Sequence, residues 1–264
     1  MGFEVCVLAS GSSGNCVYVA SSKTRLLIDI GLSCKMITAR LGNLGVRPEM
    51  LDAILITHEH RDHCQGLSTI CKRWHAPILA STGTWKKLDP PPGLPTNRRI
   101  DFIPGQRIEI GDVNVVPFEL PHDANMPTGF RIESSTTSFA LATDLGYLSD
   151  NVRRQLEGVE VLVFESNHDT EMLRLGPYPA HLKRRILSQR GHLSNDQSGE
   201  SLREIVDKHT KAVFLAHLSK ENNRPDLAWR TANEYLSAAG RCPGQHFELL
   251  LTHRDRPTDL FQLG

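Results

Sequence analysis

The sequence predicts an α/β protein in which two strand-rich halves pack sheet against sheet and carry their helices outside. Three observations lead there. Short apolar runs of strand length recur along the chain, stretches of helical spacing alternate with them, and the same coarse order returns after Asp144.

In chain order, "EVCVLA" (4–9), "CVYVA" (16–20) and "TRLLIDI" (24–30) read as strands, with the Gly/Ser turn "SGSSGN" between the first two. "CKMITARLGNLG" then has helical spacing and stops at a glycine. "AILIT" (53–57), "PILAS", "NVVPFEL", "TGFRIES" and "SFALAT" continue the strands, and "PPPGLP" (90–95) is a rigid loop too short to link domains. Beyond Asp144 come helix "SDNVRRQLEG", strand "EVLVFE", helices "AHLKRRILSQ" and "SNDQSGESLREIVDKH", strand "AVFLAH", helix "DLAWRTANEYLSAAG" and strand "HFELLLT". With no low-complexity segment and no short-period repeat, residues 1–264 read as one domain.

Bulk composition restricts the partners. The chain carries 30 Lys and Arg against 30 Asp and Glu, so a nucleic-acid partner would have to be held by a local basic patch. The six cysteines form neither a CxxC pair nor a dense framework, as expected of reduced thiols. "MGFEVCVLASGSSGN" lacks a basic leader, and no apolar run is long enough to span a bilayer. A cytoplasmic protein with no membrane partner is expected; oligomeric state stays open.

The stretch "THEHRDHCQG" (57–66) holds three histidines and an aspartate within six positions. Residues two apart on an extended chain face the same side, so His58 and His60 present their rings together. The following turn brings Asp62 and His63 back towards the same volume. Coordination of divalent metal replaces the repulsion and desolvation cost of such crowding with coordinate bonds.

These residues, HxHxDH, resemble the metal motif of the metallo-β-lactamase fold. The resemblance covers nearly the whole chain: "LLIDIG" carries Asp29, "LPHDA" His122, "ATDLG" Asp144 and "FLAHLS" His217, each where an apolar strand runs out. It implies a four-layer αββα sandwich of two mixed β-sheets flanked by helices. It also implies two divalent ions, Zn2+ or Mn2+ with Fe a third choice: His58, His60 and His122 hold one, Asp62, His63 and His217 the other, and Asp144 bridges them. Asp29 braces the metal loop from behind. A water bridging two ions becomes a hydroxide nucleophile, so the implied chemistry is hydrolysis.

The second half selects a substrate class. "VFESNHD", "RGHLSNDQSGESLREI" and "AVFLAHLS" resemble the ribonuclease Z arrangement, which makes Glu165 an orienting carboxylate and His192 a proton donor. Asp62, His192 and Glu165 are thus the catalytic candidates. "SNDQ" reads as a capping box of Ser194 and Gln197, so His192 precedes a helix start. "LASGSSGNC", "FESNHD", "GHLSN" and "HLSKENN" further resemble the YycJ-like (WalJ-like) subgroup, which implies a DNA exonuclease. There is room neither for the inserted domain of β-CASP nucleases nor for the arm of ribonuclease Z, which argues against tRNA processing. Ser13, Asn15, Asn167, His168 and Asp169 are candidates for the substrate groove. Arg184 and Arg185, in the basic run Lys183, Arg184, Arg185 and Arg190, are candidates for backbone contact. The alternatives are a glyoxalase- or lactonase-type hydrolase of a small ester or thioester, and a metal-holding protein without turnover.

Overall fold

Strands that are apolar on both faces must be covered on both, and this requirement sets the layers. The computed structural model describes residues 2–88 and 94–263; of the "PPPGLP" loop, residues 90–93 lie outside the described residues. In β1 (Glu4–Ala9), alternation sends Val5 and Val7 to one face and Cys6 and Leu8 to the other. The first pair joins a central cluster with Val113, Phe130, Leu141 and Phe214 of the second sheet. The second pair joins an outer cluster with Ile37, Leu41, Ile70 and Trp85 of the covering helices. On the far side Leu162, Phe164, Val213 and Leu215 pack with Val152, Leu202, Ala232 and Leu236. The order helix, sheet, sheet, helix is the expected αββα sandwich.

One sheet runs β1, β2 (Cys16–Ala20), β3 (Arg25–Ile28), β4 (Ala53–Ile56), β5 (Ile78–Ser81) and β6 (Arg99–Phe102), with a short strand Phe261–Gln262 beside β1. The other runs β7 (Ile108–Ile110), β8 (Val113–Glu119), β9 (Thr128–Glu133), β10 (Ser138–Ala142), β11 (Val161–Glu165), β12 (Ala212–Ala216) and β13 (Glu248–Leu251). Each sheet begins antiparallel and turns parallel, from β3 onward in the first and from β10 onward in the second. Register keeps the parallel ends level: Phe139, Val161, Ala212 and Glu248 lie in one row. Loops leaving the carboxyl ends of these strands therefore meet at one rim, where open α/β sheets place their sites.

The sequence reading misses short elements, among them helices Arg61–Cys64, Leu67–Arg73 and Thr170–Leu175 and strands β6 and β7. Such pieces are too short to show a period. The "SNDQ" capping box forms: the Ser194 hydroxyl accepts from the Gln197 N–H at 3.2 Å, and the Gln197 side chain accepts from the Ser194 N–H at 2.9 Å. Among the described residues no helix is long and apolar enough to cross a membrane.

Candidate functional site

The rim is built from turns that the backbone resists. Among the described residues four non-glycine residues have left-handed backbone: Met126 and the three site residues Asp29 (φ 62°), Asp144 (φ 65°) and His217 (φ 58°). Each such residue costs about 1–3 kcal/mol and persists where its surroundings fix it. Fixing bonds are present: the Asp29 N–H donates to the Leu55 carbonyl at 2.8 Å and the His217 N–H to the Ser10 hydroxyl at 2.8 Å. Gly31, two residues past Asp29, lies directly under the histidine loop, and a Cβ there would sit 1.7 Å from the Asp62 carbonyl oxygen. Any other residue would push that loop off the sheet.

Two sets of donors converge. His58 Nε2 lies 2.9 Å and His122 Nε2 3.3 Å from His60 Nδ1, so three ring nitrogens face one point. Asp62 Oδ2 lies 3.5 Å from His63 Nε2 and 3.6 Å from His217 Nε2, forming a second group. Asp144 stands between the groups, 3.4 Å from His63 Nε2, 3.5 Å from His217 Nδ1 and 4.0 Å from His122 Nε2. In each trio the candidate ligand atoms lie within 4.8 Å of one another.

Charge and burial make these groups suited to cations. Burial, helped by His63, His122 and His60, keeps His58 neutral well below the usual imidazole range, and burial pushes His122 down to about 4. Burial also opposes a proton on His63 and His217, but Asp29, Asp144 and Asp62 around the first and Asp144, Asp62 and Glu165 around the second outweigh it. His63 is raised well above the usual range and His217 to about 10. Burial likewise opposes charge on Asp62 and Asp144, yet the imidazoles beside them hold both carboxyls below the ordinary range. Asp144 Oδ2 and His217 Nε2 are buried without a hydrogen-bond partner, so the centre holds donor atoms that a cation would satisfy. A bound ion would displace the imidazole protons that now balance the carboxylates. The clusters thus fit a metal centre with room for two ions, and their mixed nitrogen and oxygen donors do not select one metal.

Behind the donors stand two buried carboxylates. Asp29 accepts from the Thr57 N–H at 2.9 Å and its hydroxyl at 3.0 Å, and meets His63 Nδ1 at 2.7 Å, which leaves Nε2 facing the centre. Glu165 Oε1 meets Nδ1 of both His192 and His217 at 2.9 Å. It also accepts from the backbone N–H groups of Asp144, Leu145 and Leu193 at 3.0–3.2 Å. These bonds engage both oxygens, so Glu165 aligns its neighbours, while with Asp144, His192 and His217 it also forms a group whose ligand atoms lie within 4.8 Å of one another. Burial opposes its charge, but His192 and His217 hold its carboxyl below the ordinary range. The His192 ring lies 5.2 Å from those of both His122 and His217, and its Nδ1 is 3.7 Å from Asp144.

The residues expected to line the groove divide. Ser13 is exposed on its loop, and Asn167 lines a cavity with His192 and His217 while donating to the His217 carbonyl at 2.8 Å. Asn15 is turned inward: its amide nitrogen lies 3.0 Å from His63 Nε2 and 3.3 Å from Asp62 Oδ2, and its oxygen accepts from the Gly11 N–H at 2.8 Å. It anchors the Gly/Ser loop to the histidine loop. His168 is buried with both ring nitrogens unpartnered, and Asp169 caps a helix by accepting from the Met172 N–H at 2.7 Å. Arg184 is exposed, whereas Arg185 is paired with Asp123, which lies 3.4 Å from His122 Nε2. Sequence reading overlooked Thr57, Asp123 and Tyr178; adjacency to His58 and His122 was a usable signal for the first two.

Residues 24–217 match the family described as Beta-lactamase superfamily domain. Over 261 residues the chain is 38% identical to the exodeoxyribonuclease YycJ of Bacillus anthracis, covering 98% of this chain and 99% of that protein. Over 266 residues it is 39% identical to the exodeoxyribonuclease WalJ of Streptococcus pneumoniae, covering 100% and 99%. Among solved structures, the metallo-beta-lactamase fold protein YhfI of Bacillus subtilis superposes with a TM-score of 0.74 over 97% of this chain and 98% of that one, at 18% identity.

Proposed function

This chain belongs to the beta-lactamase superfamily, and from that premise we propose that it is a metal-dependent hydrolase of phosphodiester bonds, an exodeoxyribonuclease acting on DNA, built as one domain over residues 1–264. His58, His60 and His122 would hold one divalent ion and Asp62, His63 and His217 a second, with Asp144 shared between them. Zinc or manganese suits this donor set, and iron also falls within it. When bound, the ions polarise the phosphoryl group and acidify a water.

The observation that carries the phosphodiester reading is the carboxylate shared by two imidazoles. Glu165 fixes His192 through Nδ1, at 2.9 Å, and so leaves its Nε2 free to hold a proton for the departing oxygen. A small thioester has a leaving group that departs unaided, whereas a nucleoside alkoxide needs that proton. Asp62, kept ionised and partly open to solvent at 22%, is the acceptor that orients the attacking water. The six free cysteines agree with a reducing cytoplasm. The full-length likeness to YycJ and WalJ supports DNA as the substrate. End-labelled single- and double-stranded DNA and RNA, incubated with zinc- or manganese-loaded protein beside a thioester, test the reading. Stepwise shortening of DNA is expected; turnover of the thioester alone would sink it.

A further inference from the structure

The sequence "GPYPA" (176–180) plays no part in the metal centre, yet it sets an aromatic ring beside it. Tyr178 is held between two prolines in the connection between helices Thr170–Leu175 and Ala180–Ile186, so its backbone is pre-set. Gly176 anchors that connection, donating to the Met172 carbonyl at 2.7 Å, and a Cβ on it would lie 2.5 Å from Asn222 Oδ1. Tyr178, Leu182 and Ile186 form the apolar part of a cavity of about 210 Å³ whose remaining wall includes His192, His217 and Asn167.

A second cavity, about 480 Å³, opens on the His122 side and is bordered by Tyr147, Ser149, Asn151 and Arg190. Residues 185–191 wall the two apart: Arg185, Ile186 and Gly191 face the small one, Gln189 and Arg190 the large one. A phosphodiester at the centre extends a nucleoside to each side, and the two sides differ chemically. The small cavity lies below the roughly 300–1,000 Å³ of pockets for drug-sized ligands, so it suits one ring system. Both cavities hold an aromatic ring, Tyr178 in the small one and Tyr147 in the large one, but the small one is mostly apolar and takes a base by stacking, whereas the mostly polar surface of the larger one suits a sugar-phosphate track.

Resting on the nuclease reading above, we propose that the small cavity is a base-binding subsite for the nucleoside that departs as the alcohol, with Tyr178 as its stacking platform. The chemistry assigns the side. Water adds to phosphorus, the P–O ester bond breaks with its electron pair going to the departing oxygen, and that oxygen takes the proton from His192 Nε2. The proton lost by the attacking water passes by way of Asp62 to solvent, and solvent reprotonates His192. Since His192 is itself part of the small cavity's wall, the nucleoside bearing the protonated oxygen is the one that enters it.

Short end-labelled DNA strands, intact or lacking the base of either nucleotide flanking the scissile phosphate, test this, because the products reveal which flank leaves with the hydroxyl. For the wild-type protein, removing the departing base should lower kcat/KM roughly five- to 150-fold, the range that one stacked base supplies. Tyr178→Ala should lower the intact strand to that same level and add nothing to the abasic one, while Tyr178→Phe keeps wild-type discrimination. Should Tyr178→Ala not fold, Leu182→Asn probes the same pocket and should show the same loss of discrimination. Persisting discrimination in the folded variant would overturn the subsite alone. Failure of metal-loaded wild type to cut any DNA would instead overturn the nuclease reading.

Discussion

Asp29 and Asp144 occupy the same station in the two sheets and do opposite things. Each follows the strand where its sheet turns parallel, each has left-handed backbone, and each begins an Asp-x-Gly turn whose glycine is pressed by a neighbouring loop: Gly31 by Asp62, Gly146 by Gln189. They even flank one ring, with Asp29 2.7 Å from His63 Nδ1 and Asp144 3.4 Å from His63 Nε2. Their surroundings separate them. At Asp29, burial outweighs the pull of His63 and the Thr57 bonds, and its carboxyl is raised. At Asp144, burial is opposed by His217, His63 and His122, and the imidazoles win. Local conformation thus delivers a carboxylate to the rim, but the number of imidazoles facing it decides whether that carboxyl is held above or below its ordinary range.

The sharpest break of that comparison is Asp144→Ala. It should lose metal and reduce turnover on DNA to background, as read by metal analysis of the purified protein and by an end-label assay. Retention of two ions would remove Asp144 from between the groups. Next comes His192→Ala, which should keep its metals and lose about a hundredfold to ten-thousandfold on DNA, the usual contribution of a general acid. The same variant should lose far less on bis-p-nitrophenyl phosphate, whose nitrophenolate leaves unaided; equal losses would make His192 something other than a proton donor.

The two braces come third. Asp29→Asn should weaken metal binding roughly 10–100-fold through misaligned His63, as such supporting residues do, with little dependence on the leaving group. Glu165→Gln touches both His217 and His192, so metal titration should show a similar weakening, and assays on poor and good leaving groups should diverge. If the two variants match in both measurements, the distinction between brace and dyad fails. Smallest is the basic run. Arg184→Ala should reduce the slope of log affinity for DNA against log salt by about 0.9, one phosphate contact. Arg185 is a poorer probe, because its pair with Asp123 reaches the His122 side of the centre.

The asymmetry between the halves also governs what could be read from the chain. In the first half, four donors, His58, His60, Asp62 and His63, fall within six positions, so covalent geometry alone crowds them. The longer strands were equally legible from their continuous apolar runs, unlike the short β6 and β7, and so was the capping box ahead of residues 195–205. Further along, His122, Asp144, His192 and His217 stand one to a loop and Glu165 at the end of β11, at least 21 positions apart, and only family resemblance linked them.

Other features belonged to the folded molecule alone. That Asn15 turns towards His63, that His168 is buried, that Arg185 is taken by Asp123 and that Tyr178 faces the His192 cavity were all decided by long-range packing. A polar side chain in a loop can satisfy itself in water or in protein with little difference in free energy. Its sequence neighbours do not settle that choice, whereas the tight fit of one loop on another, as of residue 62 on Gly31, does.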